Sequence, residues 1–428
     1  MHRSSLIACA LACLYGAAFA QTSNVKPPQA QAWIDVATYS GMGMPGMGAG
    51  GNPMSALGGL FGGGSGGAKN SFGQTQTGSA GRWVDVTLMT RANPSLSEAQ
   101  QAVPAGFLSP ALKLQAPKEV RTPAPRDDDD KVVEPDYERP KGKLLLYWGC
   151  GATVRPGQPK VLDMATASGA DMAKFFVSRR ATQRGAHSAA GRPVWPSPAD
   201  TRMVPDNASL VGEHAFTGSG VPDGFRFQIQ AAQDLMPALQ VQQTDQGGAT
   251  DLAWAALPTA RAYFIAGMGA AAQDEMVIWT SSEVPEAGFG LIDYQTNAAV
   301  DRWLKEKVLL APATTSCTVP KGVFPGQGGM LRAIAYGSEL NLAHPPRPTD
   351  PKAVWEPVWA AKLRVTAVGW SQSCWPRPVT GCCPSRVGWG DLPGQNLNCR
   401  PSRRFCSGMK AACPSHRQDL RKNPDFPC

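Results

Sequence analysis

From Lys143 onward the chain is cut into short runs rich in β-branched and aromatic residues, and Gly, Pro or Asp separates most of them. The runs are "KLLLYWGCG" (143–151), "FRFQIQ" (225–230), "ALQVQQ" (238–243), "TDLAWAAL" (250–257) and "AYFIAGM" (262–268). "EMVIWTSS" (275–282), "KVLLA" (307–311), "MLRAIAYG" (330–337) and "AAKLRV" (360–365) follow. A sequence broken this often has no room for long helices. Many short strands with frequent turns predict a mainly β chain built as an antiparallel β-sandwich over 143–365. One segment departs from the pattern. In "NAAVDRWLKEK" (297–307), Val300, Trp303 and Leu304 fall on one face at helical spacing, which predicts an amphipathic helix.

Within this region, "LAWAALPTARAYFIAG" (252–267) places a strand Trp, a Pro-bearing turn and then Ala-x-x-Tyr on the next strand. That cadence resembles the fibronectin-type-III or immunoglobulin-like pattern. The resemblance covers a short stretch, supports an immunoglobulin/fibronectin-like sandwich and carries no functional residue with it.

The N-terminal region, 21–103, holds two related segments, "WIDVATY" (33–39) and "WVDVTLM" (83–89). Both predict strands, and their common Trp-[Ile/Val]-Asp-Val pattern suggests a pair. With a period of two, Ile34, Val36, Val84 and Val86 turn to one face. Trp33, Asp35, Trp83 and Asp85 turn to the other, read as the solvated side. Between them runs a Gly/Met-rich loop, 41–82. Ser95 and Glu98 have capping-box spacing, which predicts a short helix over 95–102. Residues 104–142 read as a Pro- and charge-rich linker. Asp127 to Asp130 are adjacent like charges rather than the alternating oxygens of a calcium loop.

The first twenty residues, with a short basic start, an apolar run and Ala18-Phe19-Ala20, read as a secretory signal peptide cleaved before Gln21. The expectation is an exported protein, periplasmic or extracellular, with no transmembrane helix after cleavage. In such a compartment Cys150 and Cys317, the only cysteines between Gln21 and Val365, are expected to form a disulfide. The tail, 366–428, has a different composition. It carries seven of the eleven cysteines, no Ile, Glu or Tyr, and nine Lys and Arg against three Asp, so +6 of the formal +8 lies here. The basicity therefore belongs to the tail and argues for no nucleic-acid partner. A stapled small domain, a zinc site through Cys413 and His416, and an out-of-frame translation are all open. The composition favours a disordered or out-of-frame segment, which would leave the last strand cut at Val365 and the sheet edge open.

Little in the chain resembles catalytic chemistry. Gly63-Gly64-Ser65-Gly66-Gly67 matches G-x-S-x-G but lies in a glycine run without the strand and helix that make a nucleophile elbow. His187, His214 and His344 stand near no nucleophile motif; His214 beside Glu213 reads as a surface turn, and His344 before two prolines as a loop. Glu283 is a candidate acid in an exposed segment. Trp148, Trp254 and Trp279 could stack on sugars, but within strands they read as core. In "GMGMPGMGAGG" (41–51), Gly41, Gly43 and Gly46 fit a dinucleotide fingerprint without the following helix it needs. Met42, Met44 and Met47, with Met54, offer thioethers that select Cu(I). The sequence thus predicts a non-enzymatic envelope protein that binds an unidentified protein or envelope component. The alternatives are a Met-loop copper-binding protein and a secreted hydrolase with a dispersed site.

Overall fold

The computed structural model describes residues 24–41, 70–77, 79–118, 141–180, 185–272, 274–325, 329–350 and 352–373. The architecture is mainly β, with few and short helices, and its mixed and antiparallel sheets are compatible with a β-sandwich. The strands up to the midpoint are β1 (Ala30–Ser40), β2 (Gly81–Thr90), β3 (Glu98–Ala102), β4 (Ala111–Gln115), β5 (Lys143–Trp148), β6 (Lys160–Asp163), β7 (Val194–Trp195), β8 (Gly212–Gly218) and β9 (Arg226–Ile229). They continue with β10 (Val241–Gln246), β11 (Ala249–Trp254), β12 (Ala262–Ala272), β13 (Glu275–Thr280), β14 (Ser316–Val319), β15 (Gly329–Tyr336), β16 (Leu340–His344) and β17 (Trp359–Ser373). The helices are α1 (Gln74–Thr77), α2 (Gly169–Phe175) and α3 (Asn297–Lys305). None is long and apolar enough to cross a membrane.

One 14-stranded sheet runs β6-β5-β13-β12-β15-β17-β1-β2-β7-β4-β3-β8-β9, with β16 also on β17, and a 3-stranded sheet runs β10-β11-β14. The large sheet is antiparallel except for two parallel neighbours, β1 with β17 and β5 with β13. Its middle is β17. This strand lies beside β1 along Ala30↔Trp359 to Ser40↔Gly369, while β16 and β15 share its other edge. The first and last described strands are therefore neighbours. The two Trp-[Ile/Val]-Asp-Val strands also pair, antiparallel, with Asp35 directly opposite Asp85.

One face of the large sheet packs into the main core. Ile34, Val36, Val84, Val86, Leu363, Val365, Leu331 and Ala333 meet Leu252, Cys317 and Val319 of the 3-stranded sheet. Leu112, Leu114 and Phe216, from the far end of the large sheet, belong to the same core, so the sheet bends over it. Tyr263 on β12 packs against Trp254 on β11 across the two sheets, and its Oη accepts from Leu257 N at 2.9 Å. The Trp and Tyr singled out in the sequence thus form one inter-sheet contact.

The opposite face is the one read as solvated, and it is buried. Asp35 is 1% and Asp85 2% exposed, and Trp33 and Trp83 are buried beside them. The reason is a second covering layer. Val300 and Trp303 of α3, with Leu291 and Val308, pack onto Ala37, Phe264, Ile334, Tyr336 and Val368. The helix predicted at 297–307 forms over Asn297–Lys305, where the Thr296 side chain caps its first turn.

Three other expectations change. Residues 98–102 form β3 rather than a helix, because pairing with β4 and β8 and burial of Ala99 and Gln101 outweigh the local capping signal. The run at 307–311 makes only an isolated bridge from Leu310 to Tyr263. The last strand does not stop at Val365: β17 continues to Ser373, fully paired with β15 and lying inside the sheet rather than at an edge. Gly369 in that continuation is required, since a Cβ there would lie 2.3 Å from Leu239 O. Residues from Cys374 onward lie outside the described residues.

Cys150, just after β5, and Cys317 on β14 stand at disulfide distance, with Cα atoms 5.1 Å apart, and join the two sheets. Closing a loop of 167 residues stabilises by about 5 kcal/mol in the chain-entropy model. A Cys150→Ala/Cys317→Ala variant should therefore unfold at markedly lower denaturant. The wild type should shift by a similar amount under reductant. Equal midpoints with and without reductant would show that the bond contributes no stability.

Candidate functional site

Two places have the character of sites: a buried polar centre on the α3 side of the sheet, and a groove on the surface.

The buried centre grows from the register of three strands. Asp35 on β1 faces Asp85 on β2 on one side and Arg364 on β17 on the other. Arg364 donates to both oxygens of Asp35, from Nε at 2.7 Å and Nη2 at 2.6 Å, and Asp35 also accepts from Ala186 N at 2.9 Å. The pair is nearly inaccessible. The Arg364 guanidinium lies 4.3 Å from the centre of the Tyr294 ring, a cation–π contact that covers its other face. Gly185 closes over the pair so tightly that a Cβ would come within 1.6 Å of Arg364 Nη2. Burial disfavours the charge on Arg364, but Asp35 outweighs it and holds the guanidinium more firmly protonated than usual.

Among the described residues no cation pairs with Asp85. Its Oδ1 accepts from Gly73 N at 2.9 Å, and its Oδ2 accepts from Thr75 N at 3.2 Å and from the Thr75 hydroxyl. These bonds tie α1 to the sheet, and Tyr39 Oη adds another by donating to Thr75 O at 2.8 Å. Burial pushes Asp85 up to about 7; the Thr75 and Gly73 donors pull the other way, and neighbouring Asp35 adds to the rise. Two opposed carboxylates in one buried layer thus differ in their partners: Asp35 is paired with an arginine, and Asp85, held by neutral donors, tends toward its proton. Asp293, beside this layer, is also raised by burial.

The surface groove, of about 860 Å³, lies where the large sheet is thinnest. Strand β7 has only two residues, and β4 meets it through the single pair Gln115↔Val194. Past that pair the two chains separate, leaving walls of Phe72, Pro117, Val194, Pro196 and Pro198, with Glu98 and Lys118 as charged groups. A smaller, more polar hollow of about 450 Å³ shares Glu98 and Gln115 and is lined further by Gln100, Lys113 and Thr217.

The residues singled out in the sequence are distributed as follows. Cys150 and Cys317 are brought together. Met42, Met44, Met47 and Met54 lie outside the described residues, as do Ser65, Cys413 and His416. Among the described residues no group of three His, Cys, Asp or Glu could hold a metal ion. His214 is not on a surface turn. It is fully buried on β8, between Gln101 Nε2 at 3.0 Å from Nδ1 and Leu210 O at 2.8 Å from Nε2, and burial lowers its pKa. His344 closes β16 and stacks on Trp359 rather than standing in a loop. His187 is exposed, its ring edge-on to Trp33. Glu283 is half-exposed and paired with Arg155 at 2.7 Å. Trp254 and Trp279 are core. The Asp35–Asp85–Arg364 layer was missed as a cluster. Its sequence signal was the repeated Asp in the two Trp-[Ile/Val]-Asp-Val segments, which becomes informative only once Arg364 is known to lie beside them.

Asp85 has a consequence for stability. Its folded pKa lies above the unfolded value, so its stabilising contribution is complete below pH 4 and is lost as pH rises through about 7. The shift corresponds to roughly 4 kcal/mol. Denaturation should show the wild type more stable at pH 5 than at pH 8, and Asp85→Asn should flatten that difference. An unchanged slope in Asp85→Asn would assign the dependence to other groups. No family model and no curated protein matches this chain, so the chemistry of the site rests on its own geometry.

Proposed function

We propose that this chain is an exported envelope protein that acts by binding rather than catalysis, and that the groove beside β3 and β4 receives an extended segment of a partner protein. The observation that carries this reading is the groove's lining. Phe72, Val194, Pro117, Pro196 and Pro198 give an apolar wall, and Ser71, Ser97, Ser197 and Thr201 supply hydroxyls along it. Proline fixes φ and removes a backbone donor, so such a wall is pre-shaped and loses little freedom on binding. Glu98 and Lys118 are too few to recognise a highly charged ligand such as nucleic acid. Export is supported by the N-terminal A-x-A pattern and by the Cys150–Cys317 pairing, which suits an oxidising compartment. A non-catalytic role is supported by how the buried acids and His214 are used: each is spent on internal hydrogen bonds that hold the fold.

Site-specific photocrosslinking in the host's envelope fraction tests this. A probe at Thr201 or Phe72 should yield one discrete adduct, and the same probe at Lys160, on edge strand β6, should not. Thr201→Arg, which places a long cation in the groove, should abolish the adduct while leaving the melting temperature within about a degree, as expected of a surface change. Identical adduct patterns from groove and control positions would rule the groove out as the binding surface.

A further inference from the structure

Arg332 stands on β15 on the same face of the sheet as Ile334 and Tyr336. Its Nη2 donates to Ile292 O at 2.8 Å, and its guanidinium lies 4.9 Å from the centre of the Trp370 ring. Its Nε and Nη1 are buried and have no hydrogen-bond partner among the described residues. Neither does Oη of Tyr294, whose side chain is almost wholly buried. Arg332 and Tyr294 line one small pocket, of about 20 Å³, together with Tyr39, Thr75, Asp293 and Thr366. That volume suits a single particle about the size of a water molecule or slightly larger. Exposed Gln76 lies at its edge.

We infer that this pocket is a binding site for one small monovalent anion of chloride's size, held by Arg332 Nε and Nη1 and by the hydroxyl of Tyr294. A water molecule accepts two hydrogen bonds, whereas a halide can accept from all three donors. An arginine stays protonated even where burial works against it, and a buried cation without a counter-charge is among the costlier arrangements a fold can carry. Two of the neighbouring acids are turned to other donors. Asp35 is committed to Arg364, and Asp85 to Thr75 and Gly73. Asp293 lines the pocket; its Oδ1 accepts from Tyr294 N at 2.7 Å, and burial raises its pKa while Arg364 and Arg180 oppose the rise. The two unpartnered N–H donors of Arg332 and the Tyr294 hydroxyl leave this pocket short of an acceptor, which a single anion supplies. The site is independent of the surface groove.

The test uses the full chain at constant pH and ionic strength, with chloride exchanged stepwise for gluconate, which is too large to enter. The melting temperature should rise with chloride and saturate. Tyr294→Phe, which removes only the unpartnered hydroxyl, should weaken the apparent chloride affinity about tenfold. Arg332→Gln should abolish the dependence. Crystals soaked in bromide should show an anomalous peak between Arg332 and Tyr294, a readout that does not require the Arg332 variant to fold. Equal melting temperatures in chloride and gluconate would overturn the assignment. So would a chloride dependence identical in wild type and Tyr294→Phe, or a bromide peak absent from the pocket at saturating soak.

Discussion

The ion pair between Asp35 and Arg364 ties the beginning of the described chain to its end. It joins β1 to β17, strands more than three hundred residues apart, and it does so in the middle of the large sheet. A parallel pair of strands has no turn to set its register, so side chains must do it. A slip of one residue would carry Arg364 to the opposite face, among Leu363, Val365 and Ala361 of the main core, where no acid waits. The pair therefore specifies the alignment more than it stabilises the fold. Breaking one partner is expensive, about 3–5 kcal/mol for a buried pair, while replacing both by well-packed apolar groups can cost little.

Other features of the buried face follow from that pair. Gly185 must lack a side chain because the guanidinium occupies the space. Ala186 N aims at Asp35, which fixes the turn that covers it. Asp85, opposite Asp35, cannot share the same arginine. It collects the donors of 73–75 instead, and this seats α1 and one wall of the surface groove, whose lining includes Phe72. The buried centre and the surface groove are thus linked through one short segment.

The fold class was legible because strand signals are local. Short apolar runs, turn residues and the i, i+3, i+4 face at Val300, Trp303 and Leu304 are properties of a few neighbouring residues. The pairing of β1 with β2 was legible too, from the repeated Trp-Asp pattern. Burial of the second face was not, because alternation shows which residues share a face but not whether another layer covers it. Asp35 and Asp85 look like solvent-facing acids until residues 185–186 and 73–75 are placed on them. The compositional change after Val365 misled for a related reason. "TAVGW" contains a glycine and little charge, yet Thr366, Val368 and Trp370 alternate with Ala367 and Gly369 as a central strand requires, and the need for Gly369 lies in Leu239, 130 residues away. The β3 segment shows the opposite error, where a valid local capping signal lost to pairing with two strands.

The central claim is that the N-terminal strands and the final strand form one cooperative sheet rather than separate domains. Native-state hydrogen exchange measures this directly. The account predicts that amides of β1, from Trp33 to Thr38, and of β17, from Leu363 to Val368, exchange only with the global unfolding of the molecule and with one common free energy. If β1 and β2 opened at a markedly lower free energy while β12, β13 and β15 stayed protected, the N-terminal region would be a separate unit, and the buried pair would not hold the sheet together.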